Sequence, residues 1–379
     1  MSGDGRGFVA GGIHGRLLRL YEYAERTTMR LCRFVQSNSE VRRSVGVVRE
    51  DLCDTCLRGC WVCRSVWSRS GISSDTRRAV CAKLDSGRAR FQDFAARKTA
   101  DASRASLDAF VTDTDHAASD GLDSVGNAWT RRLFDGGFYL SPAPDDHCPA
   151  CSLVFVQSRE GNTGTDNPFS LGGGESDKHL IYEGLSQVAV DAVLSGASTV
   201  RGSEIVFGVW HPELVRLRAA LGKPRYPIQI VATLGALDFD TCLLFNVPEI
   251  EVLVLTVERG VQLMRKGLAS RPWVQPLVMS RPEDLSGAFA ALRARGIARV
   301  SAVGGRHLAT QLIDQGLVQD VHLTTSPRSG GEPDTPFYPV PLTTRALVRK
   351  HGTGADAGVV FEQLRLEALT ASRPGPARA

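Results

Sequence analysis

The segment Asp191-Ala-Val-Leu-Ser-Gly-Ala-Ser-Thr-Val-Arg201 passes from an apolar run straight into small residues. A short apolar run that stops at a glycine predicts a buried strand over 191–196. The small residues after it predict a tight turn, and Thr199 is able to cap whatever helix follows. Gly196 and Ala197 let backbone come close to a ligand, and free N–H groups at a helix start hold an anion such as a phosphate. The same strand–turn–helix passage serves packing alone in many folds, so this segment fixes a layer architecture before it fixes a function.

Working outward, strands are expected at 152–157, 228–232, 251–257, 275–279 and 299–303. Amphipathic helices are expected around 176–188, 211–221, 258–268, 284–296 and 306–315. Alternation of this kind predicts an α/β fold with a mostly parallel sheet and flanking helices. Two further β-rich runs, 317–325 and 358–366, have no long helix between them and fit an antiparallel edge. A second strand-to-helix turn stands at Ala302-Val-Gly-Gly-Arg-His-Leu308, where Gly304 and Gly305 allow positive φ and close contact with a ligand. A third strand, Ile228-Gln-Ile-Val-Ala-Thr233, ends in a hydroxyl residue. Thr233 would then lie where α/β sheets bind ligands, or simply close a surface turn. The GxGxxG fingerprint of a standard dinucleotide fold is absent.

Composition sets the outer limits. The 379 residues carry a net charge of +4 and are 42% hydrophobic, which permits a sizeable core. No 18-residue apolar run occurs, and the first residues lack a secretory pattern, so the cytosol is the expected compartment and no membrane partner is expected. Residues 1–100 hold 19 Lys and Arg against 10 Asp and Glu, whereas 136–379 are nearly neutral with 23 against 24. That basic stretch contains no nucleic-acid-binding module, and none is expected to act there.

Residues 1–135 read as an Arg-, Ser- and Cys-rich extension, loosely folded or foreign to the working part, despite a helical face at Leu17, Tyr21, Ala24, Thr28, Leu31 and Val35. The working domain is expected at 136–370, with an unstructured tail at 371–379. Cys53-x-x-Cys56-x-x-x-Cys60-x-x-Cys63 pairs thiols, but only three residues separate the pairs, where structural zinc sites usually place a dozen or more. No metal site is therefore expected. Cys148-Pro-Ala-Cys151 precedes its strand rather than following it, which is the wrong context for a redox pair. No upstream histidine forms a His-x-Glu, so no zinc deaminase half is present.

Taken in order, these elements resemble one family. Residues 152–365 resemble the reductase domain of the bacterial bifunctional riboflavin-biosynthesis deaminase–reductase, which has the dihydrofolate-reductase fold. The resemblance is carried by the strand ending Ser158-Arg-Glu-Gly161, by 191–201, by His211-Pro-Glu-Leu214, by Gly304-Gly305, and by Leu317-Val-Gln-Asp-Val-His-Leu-Thr-Thr-Ser-Pro327 with Gly330-Gly331. It implies NADPH bound by Gly196, Ser198, Thr199, Thr233, Gly304 and Gly305. It also implies hydride transfer to the open imine of an aminopyrimidine ribosyl phosphate, of the 5-amino-6-(5-phosphoribosylamino)uracil type.

The chain departs from the family at Val154 (usually Lys), Glu160 (usually Asp), Gln187 (usually Arg) and Val303 (usually Glu). These positions lie mostly on the substrate side. Glu160 is the candidate catalytic residue, with a solvated turn carboxylate as the plainer alternative. With Gln187 in place of an arginine, Arg201 is the candidate for the substrate phosphate, ahead of Arg159, Lys178, Arg216 and Arg218. The expected partners are a small-molecule substrate and at most a second copy of the chain. Two other functions remain open: reduction of another pterin- or pyrimidine-like substrate on the same fold, and non-catalytic binding of a nucleotide or metal.

Overall fold

The computed structural model describes residues 74–367 apart from Asp166, Gly202 and Ser203. The helical face at 17–35, the four paired cysteines and the 371–379 tail lie outside the described residues. Ten strands form one sheet in the order β1-β11-β12-β10-β4-β9-β5-β6-β7-β8. In chain order these are β1 (Phe110–Asp115), β4 (Ala150–Gln157), β5 (Ala192–Gly196), β6 (Ile228–Ala232), β7 (Val252–Val257), β8 (Val274–Met279), β9 (Arg299–Val303), β10 (Asp320–Thr325), β11 (Thr344–Gly352) and β12 (Val360–Leu366). A separate two-stranded ribbon pairs β2 (Ser124–Val125) with β3 (Phe138–Tyr139).

Strands β10, β4, β9, β5, β6, β7 and β8 run parallel to one another. Strands β12, β11 and β1 complete one side by antiparallel pairing. The sheet is thus the expected one, mostly parallel with an antiparallel edge and flanking helices, in an α/β layer structure.

Apart from the edge strand β8, its parallel strands are mostly buried on both faces, which is why they read as largely apolar runs. One face presents Leu153, Phe155, Leu194, Ile230, Leu253 and Leu255 to two helices, α5 (Leu285–Ala294) and α6 (Arg306–Asp314). The other presents Val154, Val193, Val231, Val252, Val254 and Val303. Against these valines packs α1 (Ser74–Arg104) through Phe91, Phe94 and Ala102. Phe94 meets Trp210 edge-on at 5.4 Å between centroids, and Phe91 meets Tyr226 at 5.3 Å. Gly87 brings α1 so near the loop before β7 that a Cβ there would stand 2.1 Å from the Asn246 carbonyl oxygen. Two shorter helices, α2 (Ala128–Leu133) and α3 (Pro212–Ala220), and α4 (Glu258–Ala269) complete the layers.

The expected boundary at 135/136 needs correction. The compact unit that begins at residue 78 takes in β1 and the rest of the sheet. Phe110 of β1 pairs with Gly352 of β11, and its ring packs against Phe134 in a cluster with Phe361. Buried Lys350 clips the segment from the sheet side, donating to Thr112 Oγ1 at 2.6 Å and to the Asp135 carbonyl at 2.9 Å. The helix expected around 176–188 is present but irregular. A π-helical stretch, Asp177–Leu185, breaks at Glu183 and Gly184 before Ser186–Val188. Lys98 of α1 holds Glu183 at that break by an ion pair.

Candidate functional site

Parallel pairing brings the carboxyl ends of the central strands to one edge of the sheet. Val154 lies opposite Val303, Leu194 opposite Ala302, and Gly196 opposite Ala232. The exits of β4, β9, β5 and β6 therefore stand side by side, carrying Glu160, Gly304 with Gly305, Gly196 with Thr199, and Thr233 respectively. Sequence positions spread over 146 residues become neighbours because each strand is followed by a crossover that returns to the same side.

Gly304 and Gly305 have φ of 78° and 85°, in the region that favours glycine. A Cβ on Gly304 would lie 3.4 Å from Thr199 Oγ1, so the two turns abut. Gly305 precedes α6 without a side-chain cap, which leaves the first N–H groups of a nine-residue helix directed at the edge. Gly196 is different. Its φ of −80° is ordinary, and a Cβ would meet only Ser198 Oγ at 3.9 Å. Nothing in the chain itself demands glycine there, and the backbone is left open beside the β9 turn. An uncapped helix start, two glycines in positive φ and an open glycine form a cradle that fits a pyrophosphate. Ser198 is exposed and Thr199 half-buried at its rim.

Thr233 is partly turned inward. Its hydroxyl donates to the Gly235 carbonyl at 3.2 Å and accepts from the Gly235 N–H at 3.1 Å, so it closes its own turn. Arg201 follows the one-turn helix Ala197–Val200 and is exposed beside the cradle. Among the other candidate cations, Arg218 is fully buried and donates to the carbonyls of Gln187, Val188, Val190 and Pro224. It is a structural clasp. Arg216 pairs with Glu213 on α3, and Lys178 lies over the Phe169 ring at 5.4 Å. Arg159 donates to Ser329 Oγ at 2.7 Å.

Glu160 joins two loops. Ser158 Oγ donates to Glu160 Oε2 at 2.9 Å, and the Gly330 N–H reaches the same oxygen at 3.4 Å. The Ser329 and Ser158 hydroxyls push its carboxyl down to about 2, so this exposed group is a carboxylate throughout the neutral range. Its chemistry is that of an acceptor and loop brace. Gln187 and Val154, where the family usually has Arg and Lys, are both buried; Gln187 Nε2 donates to the Tyr182 carbonyl at 2.8 Å.

One group at this edge escaped the sequence argument. Asp177 begins the π-helical stretch and is 6% exposed between the ends of β4 and β10. Thr324 Oγ1 of β10 donates to Asp177 Oδ1 at 2.5 Å. Its other oxygen faces Gly173, where a Cβ would lie 2.7 Å from Oδ2, while Gly174 faces Asp356 and Gly172 faces Arg328. Burial raises the Asp177 carboxyl to about 7, helped by the charge of Asp356 and opposed by the Thr324 hydrogen bond.

Comparison with known proteins places this geometry in a family. The model of the RibD C-terminal domain matches residues 163–361, just over half the chain. No curated protein matches. Among solved structures, a pyrimidine reductase-like protein from Corynebacterium diphtheriae is 21% identical, covering 58% of this chain and 92% of that one, with a TM-score of 0.44. RibD from Acinetobacter baumannii is 16% identical over 58% of this chain and 59% of that one, with a TM-score of 0.44. A riboflavin biosynthesis reductase from Saccharomyces cerevisiae is 16% identical over 60% and 95%, with a TM-score of 0.39. The match to the family model spans β5 through β11, and on it the chain belongs to the RibD C-terminal domain family, the reductases of riboflavin biosynthesis.

Proposed function

We propose that the chain is a NADPH-dependent reductase acting on a pyrimidine ribosyl phosphate of the 5-amino-6-(5-phosphoribosylamino)uracil type. The observation that carries the cofactor half is the cradle. Gly304 and Gly305 bring backbone to the edge in a conformation side chains avoid, and Gly196 leaves its neighbourhood open without any packing reason. In this reading the start of α6 and the β9 turn hold the pyrophosphate, with Ser198 and Thr199 at the rim. Bound NADPH supplies a hydride. The protein's share is to fix the imine carbon beside it, to keep water away, and to balance the substrate phosphate with Arg201. Thr233 serves the cofactor ribose only if its turn opens, so its part is the weakest. Glu160 holds the β4 exit against the Ser329–Gly330 loop and accepts hydrogen bonds as a carboxylate.

A second substrate is favoured by one specific observation. The family's usual arginine and lysine are replaced by Gln187 and Val154, both buried and uncharged, so neither pairs with a phosphate dianion. Leaving such a dianion unpaired is costly. Another pyrimidine- or pterin-like compound, less charged, would suit this edge equally.

Titration with NADPH and NADH, followed by nicotinamide fluorescence, is the test. Saturable NADPH binding at least tenfold tighter than NADH is expected, and absence of binding by either dinucleotide overturns the reading. Oxidation of NADPH in the presence of the phosphorylated pyrimidine, against its dephosphorylated form, then separates the two substrates.

A further inference from the structure

A cation in the first turn of a helix works against the helix dipole, whose positive pole lies there. The helix α6 opens on Arg306 and His307, with no acidic residue in its first turn and no side-chain cap. Its start therefore carries positive charge that the helix itself does nothing to balance. One counter-charge comes from a loop outside the helix, where Glu332 Oε2 lies 3.4 Å from Arg306 Nη2. Resting on the reductase function proposed above, we propose that Arg306 is a ligand of the cofactor pyrophosphate. Glu332 is its place-holder, a carboxylate that keeps Arg306 paired until the cofactor displaces it.

The first support is position. Arg306 follows directly on Gly305, and Gly304 and Gly305 hold φ of 78° and 85°. A Cβ on Gly304 would lie 3.4 Å from Thr199 Oγ1, so Arg306 stands where the exits of β9 and β5 meet. That is the place of the pyrophosphate in the reading above. His307 is exposed and turned along the helix, with its Nε2 at 3.3 Å from Gln311 Nε2. Arg306 is thus the cation of this turn that reaches beyond its own helix.

The second support is how loosely the ion pair is made. The two side chains are 41% and 67% exposed and share one contact, near the outer limit of hydrogen bonding. An exposed pair of this kind stabilises a protein little. A pyrophosphate carries more charge than one carboxylate and presents several oxygens to the planar guanidinium fork. Exchange of Glu332 for the cofactor is therefore favourable.

The third support is that the exchange disturbs nothing else. The Glu332 N–H donates to the Gly164 carbonyl at 2.7 Å, and Thr335 Oγ1 donates to the Glu332 carbonyl. A Cβ on Gly164 would come within 2.9 Å of Glu332 Cβ, so the two backbones are in close contact. On the other side, Thr310 Oγ1 donates to the Arg306 carbonyl at 2.9 Å, and the Ala309 N–H donates to the Gly305 carbonyl at 2.9 Å. Both backbones are fixed, and the exchange is a swing of two side chains.

Dissociation constants for NADPH and NADH, read by nicotinamide fluorescence on the full chain, test both parts. Arg306→Met should weaken both dinucleotides about tenfold, the scale of one charge-assisted contact, because both carry the pyrophosphate. Glu332→Gln should tighten both about threefold, the scale of an exposed ion pair, because the amide no longer competes. Combined with Arg306→Met, the Glu332→Gln change should lose that effect. Melting temperatures of the three variants should stay within about 2 °C of wild type, since the pair is exposed. Unchanged affinity in Arg306→Met overturns the assignment. Loss for NADPH alone overturns it equally, by moving the residue to the ribose phosphate that NADH lacks. Binding that is no tighter in Glu332→Gln, or an equal gain with and without Arg306, overturns the place-holder. If the wild type binds neither dinucleotide, the reductase reading falls and this proposal with it. If the wild type binds NADPH and only the variants disagree, that reading stands and this proposal falls alone.

Discussion

Gly196 and Gly304 are glycines for different physical reasons, and the difference can be measured. Gly304 has positive φ, so a β-branched residue there is strained whatever it does to a ligand. Asparagine tolerates that conformation, so Gly304→Asn tests the turn with less damage than valine. Gly196 has ordinary φ and open space. Gly196→Val should therefore keep stability within about 0.5 kcal/mol of wild type, while NADPH affinity falls at least tenfold. A melting curve and a dinucleotide titration on the same preparation check both halves. Arg201→Ala should raise KM for a phosphorylated substrate and leave NADPH affinity within a few-fold; an equal loss for NADPH would assign the residue to the cofactor. The glycine pair was legible in the sequence because Gly-Gly after a β-branched run has few other uses. Asp177 was not, because it stands like any acid at a helix start, and the hydroxyl that defines it, Thr324, is 147 residues away.

At the scale of elements, the parallel strands β4 to β9 were legible to within two residues at each end, since burial on both faces removes polar interruptions from most of them. The strand β11 was missed. Its sequence, Thr-Arg-Ala-Leu-Val-Arg-Lys-His-Gly, mixes charge into a half-buried edge, and one of those charges, Lys350, is buried as a clip. The helix α1 was missed for a related reason. Phe91, Phe94 and Ala102 are spread thinly among Arg, Lys, Asp and Ser, so its apolar stripe is narrow although its contacts are extensive. These contacts decide where the chain can be cut. A chain starting at 130 lacks β1 and α1 and exposes Val206, Phe207 and Trp210, and it should be insoluble or unfold without cooperativity. A chain starting at 74 retains these contacts and should fold. Gly87→Leu should loosen α1, because its side chain has to displace the Asn246 carbonyl. The expected outcome is a loss on the order of 2 kcal/mol, typical of overpacking, read by chemical denaturation of the full chain.

For the whole molecule, buried titratable groups pull stability in opposite directions. Burial lowers His179 and His322 to about 4. Unfolding lets them bind protons below pH 6.5, so their contribution is present above that pH and is lost between about 6.5 and 4. Asp177, raised to about 7, has the opposite sign. The unfolded chain releases its proton near 4, so stability falls as pH rises from about 4 to 7. Removing it by Asp177→Asn should steepen the gain in stability with pH across that window, on the order of 1 kcal/mol per pH unit relative to wild type. Denaturant midpoints at pH 5, 6 and 7 for the two proteins check the slope.

The strand order has a further consequence, for the chain as it is made. β4 lies between β9 and β10, which begin 142 and 163 residues after its last position, and β1 waits for β11. During synthesis the centre of the sheet therefore has no hydrogen-bonding neighbour until nearly all of it has emerged. The apolar faces of β4 stay open to other chains throughout that interval. Long-range pairing of this kind is slow and prone to association with like chains. A nascent chain stalled before residue 299 should be held by chaperones, whereas release after 367 should free it.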